Sequence, residues 1–181
     1  MNEVWQDKIP PQDIEAEQAV LGAIFLDSDT LIDAMEIVTP RSFYRRSHQI
    51  IFQSMIQLSN RGEAIDLVTL KAEIEKSNAL EDIGGISYLS ELSQSTPSSA
   101  SVSYYAKIVD GKSLLRQLIQ TANQIVVKSF EQGEEVQAIV DEAERSILEV
   151  SEKRNSTGFQ SIADVLNQSI ETIDRLAQNN E

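Results

Sequence analysis

Near the C-terminal end of the chain, two helical segments joined at Gly133 carry apolar stripes of unequal width. In the first, Ser101 to Gln132, Leu114, Leu115, Leu118, Ile119, Ala122, Ile125, Val126 and Phe130 cover an arc of roughly 160°. In the second, Glu135 to about Glu152, Val136, Ile139, Val140, Ala143, Ile147 and Val150 cover only about 100°. A narrow stripe cannot cover a wide one. If the two segments form a hairpin, the first arm keeps apolar surface that its partner leaves in water. Such a surplus marks a protein contact unless the N-terminal part of the chain folds over it. Gly133 suits the left-handed position that ends a helix.

Composition narrows the chemistry. With 41% hydrophobic residues in 181 positions, the chain can bury a real core. It has no cysteine, which excludes disulfides, thiolate metal sites and a thiol nucleophile. The start, Met1 to Lys8, has neither the basic nor the apolar region of a signal peptide, and no apolar run approaches the ~18 residues of a membrane span. A soluble, cytoplasmic protein with no membrane contact is expected. The net charge is −14, from 15 basic and 29 acidic residues, which disfavours a groove for a phosphate backbone. Glu131, Glu134, Glu135, Asp141, Glu142, Glu144, Glu149 and Glu152 crowd a stretch with one base, Arg145. That stretch reads either as a solvated helix face or as an acidic surface for a basic protein partner.

The rest of the chain has helical periodicity and no convincing alternation, so the fold class is all-α. Residues 1–13 form an N-terminal arm, in which Pro10-Pro11 breaks any helix and Pro11 is placed near the first turn of the next one. Ile14, Leu21, Ile24 and Phe25 share a helical face, with Val20 at its edge. A short helix follows from Thr30 to Val38 before Pro40. Ser47 to Leu58 is apolar nearly all round and belongs in the middle of a domain. Asn60-Arg61-Gly62 stops it, and Asp66 or Thr69 starts a helix to Lys76 with Leu67, Leu70 and Ile74 inward. Gly84-Gly85 turns the chain into a short helix carrying Ile86, Leu89 and Leu92, and Thr96-Pro97-Ser98-Ser99 precedes the hairpin. The expected divisions are a head at 14–97, a hairpin at 98–152, a linker at 153–160 and a final helix at 161–181. That helix carries Ile162, Val165, Leu166, Ile170, Ile173 and Leu176 on one stripe, with Ser161 as its cap. The stripe either folds back on the hairpin, packs on another subunit, or leads into a longer protein.

Little catalytic chemistry is visible. Gly111-Lys112-Ser113 has the tail of a phosphate-binding loop, but the first glycine of that motif falls on Ala106, and the surroundings read as continuous helix. Gly111 then marks a bend or a close helix crossing. His48 is the only histidine and reads as structural. Arg41, Arg45 and Arg46, beside Phe43 and Tyr44, form the one basic knot; the expected arrangement is a loop whose arginines pair with nearby acids. Glu15 and Glu17 suit the dipole of a first helical turn. No catalytic constellation, cofactor site or metal site is expected in these residues.

The motifs taken in order resemble the N-terminal domain of the bacterial replicative DNA helicase, the DnaB family. They are Ile9-Pro10-Pro11, EAEQAVLGAIFLD from Glu15, FYRRSHQIIF from Phe43, IDLVTL from Ile65, GGISYLSEL from Gly84, YYAKIVDGKSLLRQLI from Tyr104 and DEAERSILEV from Asp141. Ser42 departs from the acid expected before Phe-Tyr. The resemblance implies a helical head, a hairpin and a linker helix leading to a RecA-like ATPase motor that uses ATP and magnesium. It also implies a dimer-based hexameric collar on which the C-terminal domain of primase docks, with helicase loader or initiator proteins as further partners and DNA passing only through the full-length ring. On that basis Leu114, Leu118, Ala122, Ile147, Ile162, Leu166 and Ile173 are expected at subunit interfaces. Glu15, Tyr88, Ile119, Ile125, Val126 and Phe130 are expected to face a partner. The alternatives are a stand-alone helical adaptor and a domain in which Arg41, Arg45 and Arg46 guide single-stranded DNA.

Overall fold

The computed structural model describes residues 8–96, 98–131 and 135–156. Seven α-helices occupy these residues: α1 (Ile14–Leu26), α2 (Thr30–Met35), α3 (Arg46–Asn60), α4 (Leu67–Glu75), α5 (Gly85–Leu92), α6 (Val102–Glu131) and α7 (Val136–Ser156). A 3₁₀ turn, Pro40–Ser42, leads into α3, and no strand occurs among the described residues. The fold class is all-α, as the periodicity required. The helix of α7 continues to Ser156, through residues whose composition reads as a linker. The stripe carrying Ile162, Leu166 and Ile173 lies outside the described residues, as do Gly133 and Pro97.

Helix α1 is the hub of the head. The Asp13 side chain caps it by accepting from the Ala16 N–H, so Pro11 lies ahead of the cap and not in the first turn as the sequence suggested. Its apolar residues extend around most of its circumference, and α2, α3, α5 and α6 all pack on it. The core joins Val20, Leu21 and Ile24 of α1 to Leu31, Phe43, Ile51, Phe52, Met55, Leu58, Leu70, Ile74, Leu89 and Leu92. Helix α4 closes this core with a capping box in which Asp66 accepts from the Val68 and Thr69 N–H groups. Of the three apolar residues carried by α5, Leu89 and Leu92 fill the buried side of this eight-residue helix and Ile86 is half-exposed.

Gly22 allows α1 and the end of α5 to touch. A Cβ there would stand 2.3 Å from Ser95 Oγ and 2.8 Å from the Leu92 carbonyl oxygen. Gly111, by contrast, has no atom within 4 Å of its missing Cβ, so of the two roles expected there, a bend or a close crossing, the crossing does not exist. The N-terminal half of α6 lies on the head through Val102, Ala106, Val109 and Ser113. Its distal half leaves the core of the head and packs with α7.

An ion-pair cluster ties the end of α3 to α4. Arg61 Nη2 donates to Glu73 Oε2 at 2.5 Å, Arg61 Nε donates to Glu63 Oε1 at 2.8 Å, and Lys76 Nζ donates to Glu73 Oε2 at 2.6 Å. Hydrogen bonds from Arg61 and then Lys76 hold the Glu73 carboxyl at about 2, below the ordinary carboxylate range.

Two predictions follow from this packing. Gly22→Ala should destabilise the protein by about 1–3 kcal/mol, and adding Ser95→Ala should recover only part of the loss because the Leu92 carbonyl still obstructs; urea midpoints read both. For Glu73→Gln, the sign is that of a depressed acid: its stabilising contribution is present above the unfolded carboxylate value and is lost as pH falls toward 2. The unfolding midpoints of parent and variant should therefore differ at pH 6 and converge through the range between ~4.5 and 2.

Candidate functional site

The distal hairpin is held together by a narrow seam. Ile125 of α6 and Ile139, Ala143, Ser146 and Val150 of α7 are half-buried, and Lys128 pairs with Glu142 across the arms. No α7 residue from Val136 to Glu152 is fully buried. Beside the seam, Leu115, Leu118, Ile119, Ala122, Val126 and Phe130 fall on one side of α6 and are exposed, Val126 at 52% and Phe130 at 68%. Val136, Val140 and Ile147 form the exposed flank of α7 next to its seam positions. Because the arms run antiparallel, the two flanks open on the same side, and the hairpin presents one two-helix apolar face. The head does not cover that face: it occupies the opposite side of α6.

The structure thus brings Leu118, Ile119, Ala122, Val126, Phe130 and Ile147 together, while Leu114 and Ile125 are half-buried near the seam. An open groove of about 1390 Å³ runs from this region to the N-terminal arm, lined by Pro10, Pro11, Ile119, Val126 and Ala143 among others. The outward side of α7 carries exposed Asp141, Glu144, Glu149 and Glu152.

The remaining candidates lie on the head. Glu15 is exposed in the first turn of α1, but Glu17 is only 1% exposed and does not serve the dipole in water as expected. Its carboxylate accepts from the Tyr44 N–H at 2.5 Å, the Arg45 N–H at 3.4 Å and His48 Nδ1 at 2.6 Å. His48 is fully buried, and its Nε2 meets the Tyr88 hydroxyl at 2.6 Å. A carboxylate only accepts, so Nδ1 carries the hydrogen, and Nε2 is free to accept the Tyr88 O–H. Gln18 Nε2 donates to the same hydroxyl at 3.2 Å. Tyr88 is half-buried, so its hydroxyl is an internal anchor while one edge of its ring lines an open hollow with Arg45, Ser47 and Glu91.

Arg116, in the middle of α6, ties the hairpin to the head. Its Nη1 donates to the Pro11 carbonyl at 2.7 Å and its Nη2 to the Ser42 carbonyl at 2.6 Å, with the guanidinium 5.5 Å from the centre of the Tyr44 ring. Burial lowers the Arg116 pKa, against the opposing charges of Glu17 and then Tyr44. The side chains of Arg41, Arg45 and Arg46 are exposed and make no ion pair among the described residues, contrary to the expected pairing; the Glu17 carboxylate is engaged inward by the Tyr44 and Arg45 N–H groups and His48. No group of three or more potential metal ligands comes together among the described residues, and no described helix is long and apolar enough to cross a membrane.

A helical head that carries an antiparallel hairpin with a bare apolar face defines a class of protein-contact module. The family described as DnaB-like helicase N terminal domain matches residues 9–111. The chain belongs to that family. It is 49% identical over 176 residues to the replicative DNA helicase DnaB of Geobacillus stearothermophilus, a match covering 97% of this chain and 39% of that protein. The chain therefore spans well under half the length of that curated relative. The crystal structure of the N-terminal domain of DnaB helicase from Mycobacterium tuberculosis superposes with a TM-score of 0.74 at 39% identity, over 78% of this chain and 99% of that one. A DnaB-like replicative helicase described with its interactions with primase shares the fold, with a TM-score of 0.63 at 24% identity over 88% of this chain and 35% of that one.

Sequence reasoning missed Glu17 and Arg116. Glu17 and His48 are 31 positions apart, and no local signal joins them. Glu17→Ala should leave His48 Nδ1 and two N–H groups without their acceptor and cost about 3 kcal/mol or more, whereas Tyr88→Phe should cost about 1 kcal/mol. Urea unfolding followed by circular dichroism measures both.

Proposed function

We propose that this chain is the N-terminal collar module of a replicative DNA helicase. It supports assembly of a dimer-based hexameric ring and docks the C-terminal domain of primase in the cytoplasm. ATP-driven unwinding, with ATP and magnesium, belongs to the motor of the whole protein, through whose ring the DNA passes. Loader or initiator proteins are further partners of the same collar. The observation that carries this reading is the two-helix apolar face of the hairpin, which neither arm nor head covers. Contiguous bare apolar surface of this kind is costly in water and is normally spent on a protein contact. Family membership supports contacts of the helicase ring as the use of this face, and the relative described with primase supports primase as one partner.

The inner part of the face, Leu118, Ala122 and Ile147, serves pairing between hairpins. The outer part, Ile119, Val126 and Phe130, serves a neighbouring subunit or primase. Tyr88 contributes to docking through the packing of α5 more than through direct contact, since its hydroxyl points to His48.

Introducing a charge into the face should separate assembly from folding. Leu118→Asp should keep the helical spectrum and weaken self-association by roughly 30-fold, the effect of losing about 2 kcal/mol at a central contact. Light scattering across a concentration series reads the change, and an unaltered mass distribution would overturn the pairing role. Ile119→Ala and Phe130→Ala should each weaken primase binding by about tenfold, as titrated by calorimetry.

A further inference from the structure

Two sets of hydrogen bonds, one reaching in from α5 and one from the hairpin, end on the same four residues, Ser42 to Arg45. From the α5 side, Tyr88 bonds to His48, His48 to Glu17, and Glu17 accepts from the N–H groups of Tyr44 and Arg45. From the hairpin side, Arg116 donates to the Ser42 carbonyl and lies over the Tyr44 ring, while its other nitrogen holds Pro11 of the arm. Between these grips Phe43 is buried, with its ring 4.9 Å from that of Phe52. Ser42 and Phe43 are closely packed, and Tyr44 and Arg45, whose side chains reach the surface, are held by their N–H groups, so a displacement on one side of the loop is passed on through these fixed points.

We propose that the Ser42–Arg45 loop couples the α5 face of the head to the stem of the hairpin, so that a partner seated at the Tyr88 hollow changes the hairpin without touching it. The hollow that Tyr88 lines with Arg45, Ser47, Ser87 and Glu91, about 490 Å³, is the place where such a push is applied. Its lining of one guanidinium, the two serine hydroxyls and the carboxylates of Glu81, Asp82 and Glu91 is net acidic and fits a basic protein side chain and not an apolar helix. In the other direction, assembly of the hairpins tightens or slackens the Arg116 grip and is felt at Tyr88. Coupling of this kind is reciprocal by thermodynamic necessity. It is a property of the single chain and does not depend on the docking role proposed above for the hairpin face.

The chain contains one histidine, so the His48 ring gives a single, assignable nuclear magnetic resonance signature in the middle of the linkage. Arg116→Lys, read in the 181-residue chain, should shift the His48 ring resonances and speed amide hydrogen exchange in α5 by at least about twofold. Tyr88→Phe should in turn speed exchange around Arg116 and in residues 8–13 by a similar factor. In the double variant the two accelerations should be less than multiplicative, because each has already released the shared loop. If Arg116→Lys fails to fold, Tyr44→Leu, which removes only the ring under the guanidinium, takes its place with the same readouts. Unchanged His48 resonances and α5 exchange, effects confined to the immediate neighbours of each substitution, or accelerations that simply multiply would each overturn the proposal. None of these outcomes bears on whether the hairpin face self-associates, which Leu118→Asp tests separately.

Discussion

A carboxylate with 1% of its surface in water must find donors inside the protein, and the head is arranged so that Glu17 does. The donors come from the segment just ahead of α3, from α3 itself and, through His48, from α5. Satisfying one side chain of α1 therefore fixes where α3 begins, how it is rotated, and where α5 lies. Apolar packing alone tolerates small rotations and slides between helices. A set of bonds with lengths of 2.5 to 3.4 Å does not. Gly22 adds a steric limit to the same arrangement, since α5 ends against the backbone of α1 with no room for a side chain.

The hairpin obeys a different balance. Its stem shares the head's core through Val102, Ala106 and Val109, and Arg116 fastens it by two backbone carbonyls. Beyond that point the apolar residues of the two arms outnumber the seam they can make with each other. A rigid head and a thinly buried projection divide the labour between folding and contact. The strongly acidic outer side of α7 keeps the projection dissolved while leaving its apolar flank for a partner.

The helices, their order and the unmatched arms were legible in the sequence because helical periodicity and the Gly62, Gly84 and Asp66 boundary signals are local. So was the family, through a series of motifs whose order is more specific than any member. What was not legible depends on contacts between distant segments. A lone histidine and a carboxylate in a first helical turn each have a bland local explanation, and only the fold places Nδ1 of one 2.6 Å from the other. The same holds for Arg116, which sits on the face of a long helix where any solvated residue would fit the pattern. The arginine knot failed for the opposite reason: local charge invited partners that the geometry withheld. The roles assigned to Glu15, Tyr88 and the hairpin residues rest on exposure and on family membership, with Ile162, Leu166 and Ile173 outside the described residues.

The absence of a fully buried residue along α7 from Val136 to Glu152 has a thermodynamic meaning. A helix derives most of its stability from the surface it buries, and short helices left in water are marginal. The head, by contrast, buries its core within the one chain. If hairpins pair as proposed, the order of the outer arm is linked to that pairing and its helicity follows mass action. Concentration then becomes a structural variable for this part of the chain: the scarcer the partner, the less hairpin there is to find.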